Sequence, residues 1–82
     1  MVNVIFDPVF EKRVKKIKDT RLKEKVKKQV AKIIEQPSIG KPMRYGRKDT
    51  RELHTPPFRP SYHYDEEKQL VIFLDLYHKD EQ

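Results

Sequence analysis

The 82-residue sequence contains no cysteine, only two glycines and no long apolar segment. Without cysteine, disulfide bonds and thiolate metal ligands are excluded, so the fold has to be held together by packing alone. No apolar run approaches the roughly 20 residues of a membrane-spanning helix, so we expect no membrane contact. The segment before Asp7-Pro8 is too short and too uncharged for a signal peptide, which favours a cytoplasmic protein.

The length of the chain predicts one domain that spans residues 1–82. Folding at this size buries somewhat over ~60% of the surface that the unfolded chain exposes, so the core should be thin. A deep enclosed pocket is therefore not expected. An active site should lie in a surface groove.

Charge is distributed unevenly along the chain, with a formal net charge of +6. Residues 1–36 carry 11 Lys/Arg and 5 acids, residues 37–59 carry 6 and 2, and residues 60–82 carry 2 and 6. The two basic segments are typical of a protein that binds a polyanion, because phosphate contacts supply much of the affinity for nucleic acids. For the individual lysines of the first segment, the simpler interpretation is solvated helix faces.

The first half of the chain reads as one strand followed by two helices. Val2, Val4 and Phe6 alternate with Asn3 and Ile5, which predicts a short strand. Asp7-Pro8 and Asp19-Thr20 are helix-start signals, because aspartate accepts from the unpaired N–H groups there and proline fits the first helical position. Apolar residues then recur at spacings of three and four, which predicts an antiparallel helical hairpin that ends before Pro37.

The second half, after a proline-containing loop at 36–42, reads as extended. Residues 51–55 and 58–64 form two runs joined by a hairpin loop at Pro56-Pro57. The continuous apolar run 70–74 predicts a central strand covered on both faces. We therefore expect an α+β, two-layer fold with the order β-α-α-β-β-β. Its helical hairpin packs on one face of a small, mostly antiparallel sheet, and the other face is curved and open.

This order of elements, together with two short segments, resembles the RelE/ParE superfamily of toxins from type II toxin-antitoxin pairs. Phe58-Arg59-Pro60-Ser61-Tyr62 is similar to the family's aromatic-Arg-x-x-Tyr strand, and His78-Lys79 is similar to its terminal basic or histidine position. The resemblance covers nearly the whole chain. It implies a ribosome-dependent mRNA endonuclease that inhibits translation. It also implies a RelB-like antitoxin that neutralises the toxin, with the ribosome and mRNA as further partners, and suggests a heterotetramer with the antitoxin.

The resemblance implies that Arg59 and His78 line the concave face that holds mRNA. Arg59 is predicted to clamp phosphate, because a guanidinium holds two phosphate oxygens at once and remains charged. His78 is predicted to transfer a proton, because imidazole gains and loses protons near neutral pH. The alternatives are an arginine paired with a neighbouring acid and a terminal histidine without a task.

The second predicted strand supplies further candidates. Strand alternation places Glu52 and His54 on one face and Arg51 on the other. We favour the face of Glu52 and His54 as the groove lining, so both are catalytic candidates. Glu52 is either the base or, as we favour, an ion-pair partner of Arg59. Arg51 is a candidate for RNA contact, with Leu53 buried beside its aliphatic stem.

Several residues are candidates for binding RNA without taking part in the chemistry. Arg44, Arg47 and Lys48 precede the second strand and are predicted to grip backbone phosphates, with a solvated loop as the alternative. Lys79 lies beside the candidate histidine. Tyr62 is predicted to stack a base, although tyrosine on a strand more often packs in a core.

The three histidines do not have the spacing of a metal site, so neither a metal nor another cofactor is expected. Among them, His63 falls on the opposite face from Tyr62 and Tyr64. It is predicted to be structural or exposed.

Two differences from the family pattern keep another function open. Where typical members carry two lysines on the second strand, this chain has Thr50 and Glu52, and no tyrosine follows its last strand. The alternative is a non-nuclease member of the same fold, either a gyrase-poisoning ParE-like toxin or an inactive binding module. A plain RNA-binding domain is a third interpretation.

Overall fold

A computed structural model describes residues 2–42, 50–53 and 57–78. In these ranges, two helices pack on one face of a five-stranded sheet. The elements are β1 (Asn3–Phe6), α1 (Pro8–Lys15), α2 (Thr20–Glu35), a one-turn 3₁₀ helix (Pro37–Ile39), β2 (Lys41–Pro42), β3 (Thr50–Glu52), β4 (Phe58–Asp65) and β5 (Leu70–His78). The predicted two-layer α+β architecture is confirmed, with one addition. The short strand β2 lies within the segment that was expected to be only a loop.

Both helices begin at the aspartates that the sequence indicates. The backbone N–H of Val9 donates to Asp7 Oδ1 at 2.8 Å, and that of Arg21 donates to Asp19 Oδ1 at 2.8 Å. Pro8 occupies the first position of α1, where its missing N–H removes no helical hydrogen bond. Each cap typically contributes about 1 kcal/mol.

The strands are arranged in the order β1-β5-β4-β3-β2. β1 pairs with β5 in parallel, whereas the three other neighbouring pairs are antiparallel. The sheet is therefore mixed, and mostly antiparallel as predicted.

β5 lies between β1 and β4 but buries only one of its faces. Val71, Phe73 and Leu76 are buried, whereas Ile72 and Leu74 are only half-buried. The prediction that this apolar run is covered on both faces is wrong, because in the described part of the chain the helices pack on one side of the sheet.

The core lies between the helices and the sheet. Its buried apolar residues are Phe10, Val26, Ile33, Phe58, Tyr62, Val71, Phe73 and Leu76. Phe73 is at the centre of an aromatic cluster, with its ring centroid 5.1 Å from that of Phe6, 5.2 Å from Phe10 and 6.1 Å from Tyr62. The cluster joins β1, α1 and β4 to β5. Aromatic pairs of this kind contribute about 0.5–1.5 kcal/mol beyond their buried area.

Tyr62 ties the segment after α2 to the sheet. Its side chain is fully buried, and its hydroxyl donates to the Pro37 carbonyl at 2.6 Å while it accepts from the Gly40 N–H at 2.9 Å. On the neighbouring strand, Arg51 Nη1 donates to the Gly40 carbonyl at 2.8 Å. Side chains from β3 and β4 thus satisfy both backbone groups of Gly40, and β2 begins at the next residue.

Within the described ranges, neither helix combines the length and the apolar composition that crossing a membrane would require.

We expect Gly40→Ala to destabilise the fold. An added Cβ at Gly40 would lie 2.5 Å from the Tyr62 hydroxyl oxygen and 2.9 Å from Cε1 of its ring. Because that ring is fully buried, the ring or the loop has to shift, which should lower the free energy of unfolding by about 1–3 kcal/mol. Urea unfolding measures the loss, with Ser38→Ala, an exposed neighbour, as the control. An unchanged midpoint for Gly40→Ala would mean that the ring has room to move.

Candidate functional site

The sheet face opposite the helices, which we call the open face, carries the side chains that alternate with the core residues. Among the described residues that the strand registers assign to it are Ile5, Thr50, Glu52, Arg59, Ser61, His63, Ile72 and Tyr77. Its polar residues are concentrated on β3 and β4, and its apolar residues on β1 and β5. The candidate site is the polar half of this face.

Arg59 and Glu52 meet on the open face. Arg59 Nη1 lies 4.0 Å from Glu52 Oε1, and the two side chains are 31% and 19% exposed. Glu52 is opposite Ser61 in the register, so the guanidinium crosses diagonally from β4 towards β3. This is the arrangement expected for an ion-pair partner of Arg59. A partly exposed pair at this distance contributes about 0–1 kcal/mol to stability.

His78 is not beside Arg59. Arg59 is opposite Tyr77 and His78 is opposite Phe58, so alternation puts His78 on the helix side of the sheet. The His78 ring makes an edge-to-face contact with Phe58, with centroids 5.2 Å apart. The expectation that Arg59 and His78 line one face is therefore wrong.

Two predicted RNA contacts also lie on the helix side and have structural roles. Tyr62 is fully buried, so it cannot stack a base. Arg51 is opposite Tyr62 in the register and donates to the carbonyls of Gly40, at 2.8 Å, and Ser38, at 3.3 Å. Burial raises the pKa of the Tyr62 phenol above its ordinary value of 10.0, while the hydrogen bond from Gly40 and the charge of Arg51 act in the opposite direction.

His63 is the residue that the sequence reasoning set aside. It lies half-buried on the open face, opposite Thr50 on β3 and Ile72 on β5. Ser61, between Arg59 and His63 on the same strand, is buried, and its Oγ donates to the Asp75 carbonyl at 3.4 Å. The sequence does indicate that His63 shares a face with Arg59, because the two residues are separated by an even number of positions. That spacing puts them on one face of a strand.

The remaining predicted site residues, His54, Arg44, Arg47, Lys48 and Lys79, lie outside the described residues. Their roles stay predictions.

In residues 2–42, 50–53 and 57–78, no group of three or more His, Asp or Glu side chains is arranged to hold a metal ion.

Two depressions lie on the helix side. The first, which we call the helical groove, has a volume of about 430 Å³. Its apolar lining comes from β1, α1 and α2 and consists of Phe6, Phe10, Val14, Val26 and Val30. The charged residues Glu11, Lys15 and Lys27 also line it.

The second depression, which we call the turn pocket, has a volume of about 350 Å³ and lies where the turn between α1 and α2 meets the ends of β4 and β5. Its lining consists of Arg13, Lys16, Ile17, Lys18, Asp19, Leu22, Phe58, Leu76 and His78. His78 thus faces basic residues of the helices and not the open face.

Two helices on one face of a five-stranded mixed sheet form the fold of the RelE toxins. The chain superimposes on a structure of the intact RelBE toxin-antitoxin complex of E. coli with a TM-score of 0.79 and 22% identity, over 95% of this chain and 96% of that one. On the structure of the RelBE2 toxin-antitoxin complex of Mycobacterium tuberculosis, the chain superimposes with a TM-score of 0.79 and 23% identity, over 94% of this chain and 96% of that one. On a metal-bound toxin from Helicobacter pylori, the TM-score is 0.65 and the identity is 28%, over 99% of this chain and 98% of that one.

Residues 4–82 match the sequence model of the family described as the ParE toxin of the type II toxin-antitoxin system parDE. The chain therefore belongs to this family, and the expected RelE/ParE superfamily membership is confirmed. No curated protein matches the sequence significantly.

Tyr62→Phe tests the buried hydroxyl. At neutral pH it should lower the free energy of unfolding by about 1–3 kcal/mol, because the Pro37 carbonyl and the Gly40 N–H lose a buried partner. A pH dependence follows from ionisation. The folded pKa of Tyr62 lies above 10.0, so the unfolded chain releases the phenolic proton first. The wild type therefore loses stability as the pH rises past 10.0 and through the folded pKa.

The variant Tyr62→Phe lacks this phenol, so its stability deficit relative to the wild type should narrow above pH 10.0. Urea unfolding at neutral pH and at several values around 10.0 measures the difference. Tyr77→Phe, on the open face, is the control and should retain the alkaline loss that Tyr62 causes. A deficit for Tyr62→Phe that stays constant across the series would contradict the assignment.

Proposed function

We propose that this toxin is an endoribonuclease that cuts mRNA on the ribosome and thereby inhibits translation. The observation that carries the proposal is the position of Arg59, whose guanidinium lies on the open face 4.0 Å from the Glu52 carboxylate. The pair offers a cation for a phosphate and an acceptor for a proton within one small area.

Cleavage of RNA by its own 2′-hydroxyl requires three groups. A base takes the 2′-hydroxyl proton as the 2′-oxygen bonds to phosphorus, a cation stabilises the charge on the phosphate, and an acid protonates the 5′-oxygen as its bond to phosphorus breaks. Arg59 is the cation in this proposal. Glu52 and His63 are the described candidates for proton transfer on the open face, and His54 remains a candidate from the sequence.

In this proposal the ribosome supplies the alignment of the mRNA, which a small open face cannot provide by itself. Holding mRNA in a fixed geometry aligns the attacking 2′-oxygen with the phosphorus and the departing 5′-oxygen, so an incomplete set of catalytic groups can suffice. Residues 37–59, with 6 Lys/Arg and 2 acids, suit the RNA phosphates around such a site. Arg44, Arg47 and Lys48 are the proposed contacts. The activity is accordingly placed in the cytoplasm.

Arg59→Ala should reduce cleavage about 10²–10³-fold, because the developing charge on the phosphate loses its fixed cation. The assay adds purified protein to ribosomes programmed with a defined mRNA and maps the new 5′ ends by primer extension. Arg21→Ala is the matched control. It removes the same charge from an exposed position on α2 and should leave cleavage unchanged.

Undiminished cleavage by Arg59→Ala contradicts the proposed role of this residue. Glu52→Gln and His63→Ala, measured across pH, identify the proton-transfer group, because only the variant that lacks it should lose a limb of the pH–rate profile. A folded wild type that leaves ribosome-bound mRNA intact contradicts the nuclease proposal itself.

A second candidate function is the poisoning of DNA gyrase without RNA cleavage. Strand β3 favours it, because Thr50 and Glu52 stand where typical nuclease members of the superfamily carry lysines. The match to the ParE family favours it as well. Gyrase-dependent DNA breaks together with intact mRNA would identify this function.

We also propose that a RelB-like antitoxin neutralises this toxin by occupying the helical groove. The similar structures from E. coli and M. tuberculosis are toxin-antitoxin complexes. The groove is lined mainly by apolar side chains, and one of them, Phe6, is 40% exposed. With a net charge of +6, the chain suits an acidic antitoxin segment that folds as it binds.

Val30→Glu should weaken antitoxin binding at least about tenfold, because it puts an unpaired charge against the apolar side of the incoming segment. Titration calorimetry with the antitoxin encoded beside this toxin measures the affinity. Val9→Glu makes the same change at an exposed position on α1 outside the groove, and it is the control. Equal losses in both variants, each shown to be folded by circular dichroism, would contradict the assignment of the groove.

A further inference from the structure

We propose that the turn pocket binds a nucleotide through its phosphate, at a site separate from Arg59 and the open face. The pocket lies on the helix side of the sheet, so it is distinct from the proposed cleavage site. The inference does not depend on nuclease activity.

The charges of the pocket suit an anion. Lys16 is the C-cap residue that follows α1, Lys18 lies in the turn before α2, and both side chains are exposed. Arg13 is held at the wall by Asp75, whose Oδ1 lies 3.2 Å from Arg13 Nε. The acidic residue of the lining, Asp19, directs its Oδ1 to the N–H groups at the start of α2. Lys16 and Lys18 supply the positive charge that attracts phosphate.

The floor of the pocket suits a flat, apolar body attached to that phosphate. Phe58 and Leu76 are buried at the base, and the His78 ring lies edge-on against Phe58. The volume of about 350 Å³ falls within the range of roughly 300–1,000 Å³ that small-molecule sites usually have. A cationic rim over an aromatic and aliphatic floor matches a nucleotide, which joins a charged phosphate to a planar base.

The test uses the full chain labelled with ¹⁵N and titrated with AMP, inorganic phosphate and adenosine. AMP should shift the amides of residues 16–19 and of His78, and it should bind more tightly than either of the other two ligands. Replacing Lys16 or Lys18 by alanine should weaken AMP binding about fivefold per lysine.

The matched control is the double variant Lys12→Ala/Lys28→Ala, which removes the same charge from exposed positions outside the pocket. It should bind AMP as the wild type does, whereas Lys16→Ala/Lys18→Ala should not. Equal losses in the two double variants, or shifts spread along both helices, would overturn the proposal, because they would mark a general attraction of anions to a basic surface.

The titrations with phosphate and with adenosine test separately the roles of the apolar floor and of the lysines. Phosphate that binds as tightly as AMP overturns the role of the apolar floor, and adenosine that binds as tightly overturns the role of the lysines. A glutamate-rich peptide that shifts the same amides as strongly also overturns the assignment, because the pocket would then be a docking site for acidic peptides.

The nucleotide can belong to an RNA strand or be free in solution. A short single-stranded RNA separates the two sources when it is titrated into Arg59→Ala, so that the proposed cleavage site does not contribute. Tighter binding of this RNA than of AMP, lost in Lys16→Ala/Lys18→Ala, assigns the pocket to an RNA strand. Equal affinities assign it to a free nucleotide.

Discussion

The burial of Tyr62 is the constraint on which the rest of the structure depends. Its ring fills the core beside Phe73, and its hydroxyl holds Pro37 and Gly40, so β4 cannot move along its neighbours without breaking all of these contacts. Side chains on a strand alternate, and a slip by one residue would exchange the faces of the whole strand. The anchoring of one tyrosine on the helix side is therefore what keeps Arg59 on the open face.

Much of the fold could be predicted because it follows from local signals. The aspartate caps and the periodic apolar residues define both helices, and they depend on neighbours within a few positions. β2 could not be predicted in this way, since a strand of two residues gives no periodic pattern and is held in place by Arg51 and Tyr62 from distant segments. Nor does the apolar run 70–74 reveal that its second face lies opposite the helices and stays uncovered by them.

The candidate site, like the fold, could be predicted only where local sequence signals determine it. Arg59 and Glu52 lie close in the register and were correctly placed together. The pairing of Arg59 with His78 failed because of an irregularity between Ser61 and Tyr62, where β5 contains one more residue than β4. An extra residue reverses the face of everything beyond it, so His78 points to the helices and Tyr77 takes the open face. Sequence separation alone does not disclose such a bulge.

In the described part of the chain both helices pack on one side of the sheet, and this has a consequence for how a bound partner would act. A segment seated in the helical groove touches Phe6, whereas the side chain of Ile5, its neighbour on the edge strand β1, points to the opposite surface. Such a segment leaves the neighbourhood of Arg59 physically uncovered. Under the proposed function and the proposed docking of the antitoxin, neutralisation then works in one of two ways. Either the partner's chain continues around the β1 edge, or its bulk prevents the toxin from entering a confined space on the ribosome.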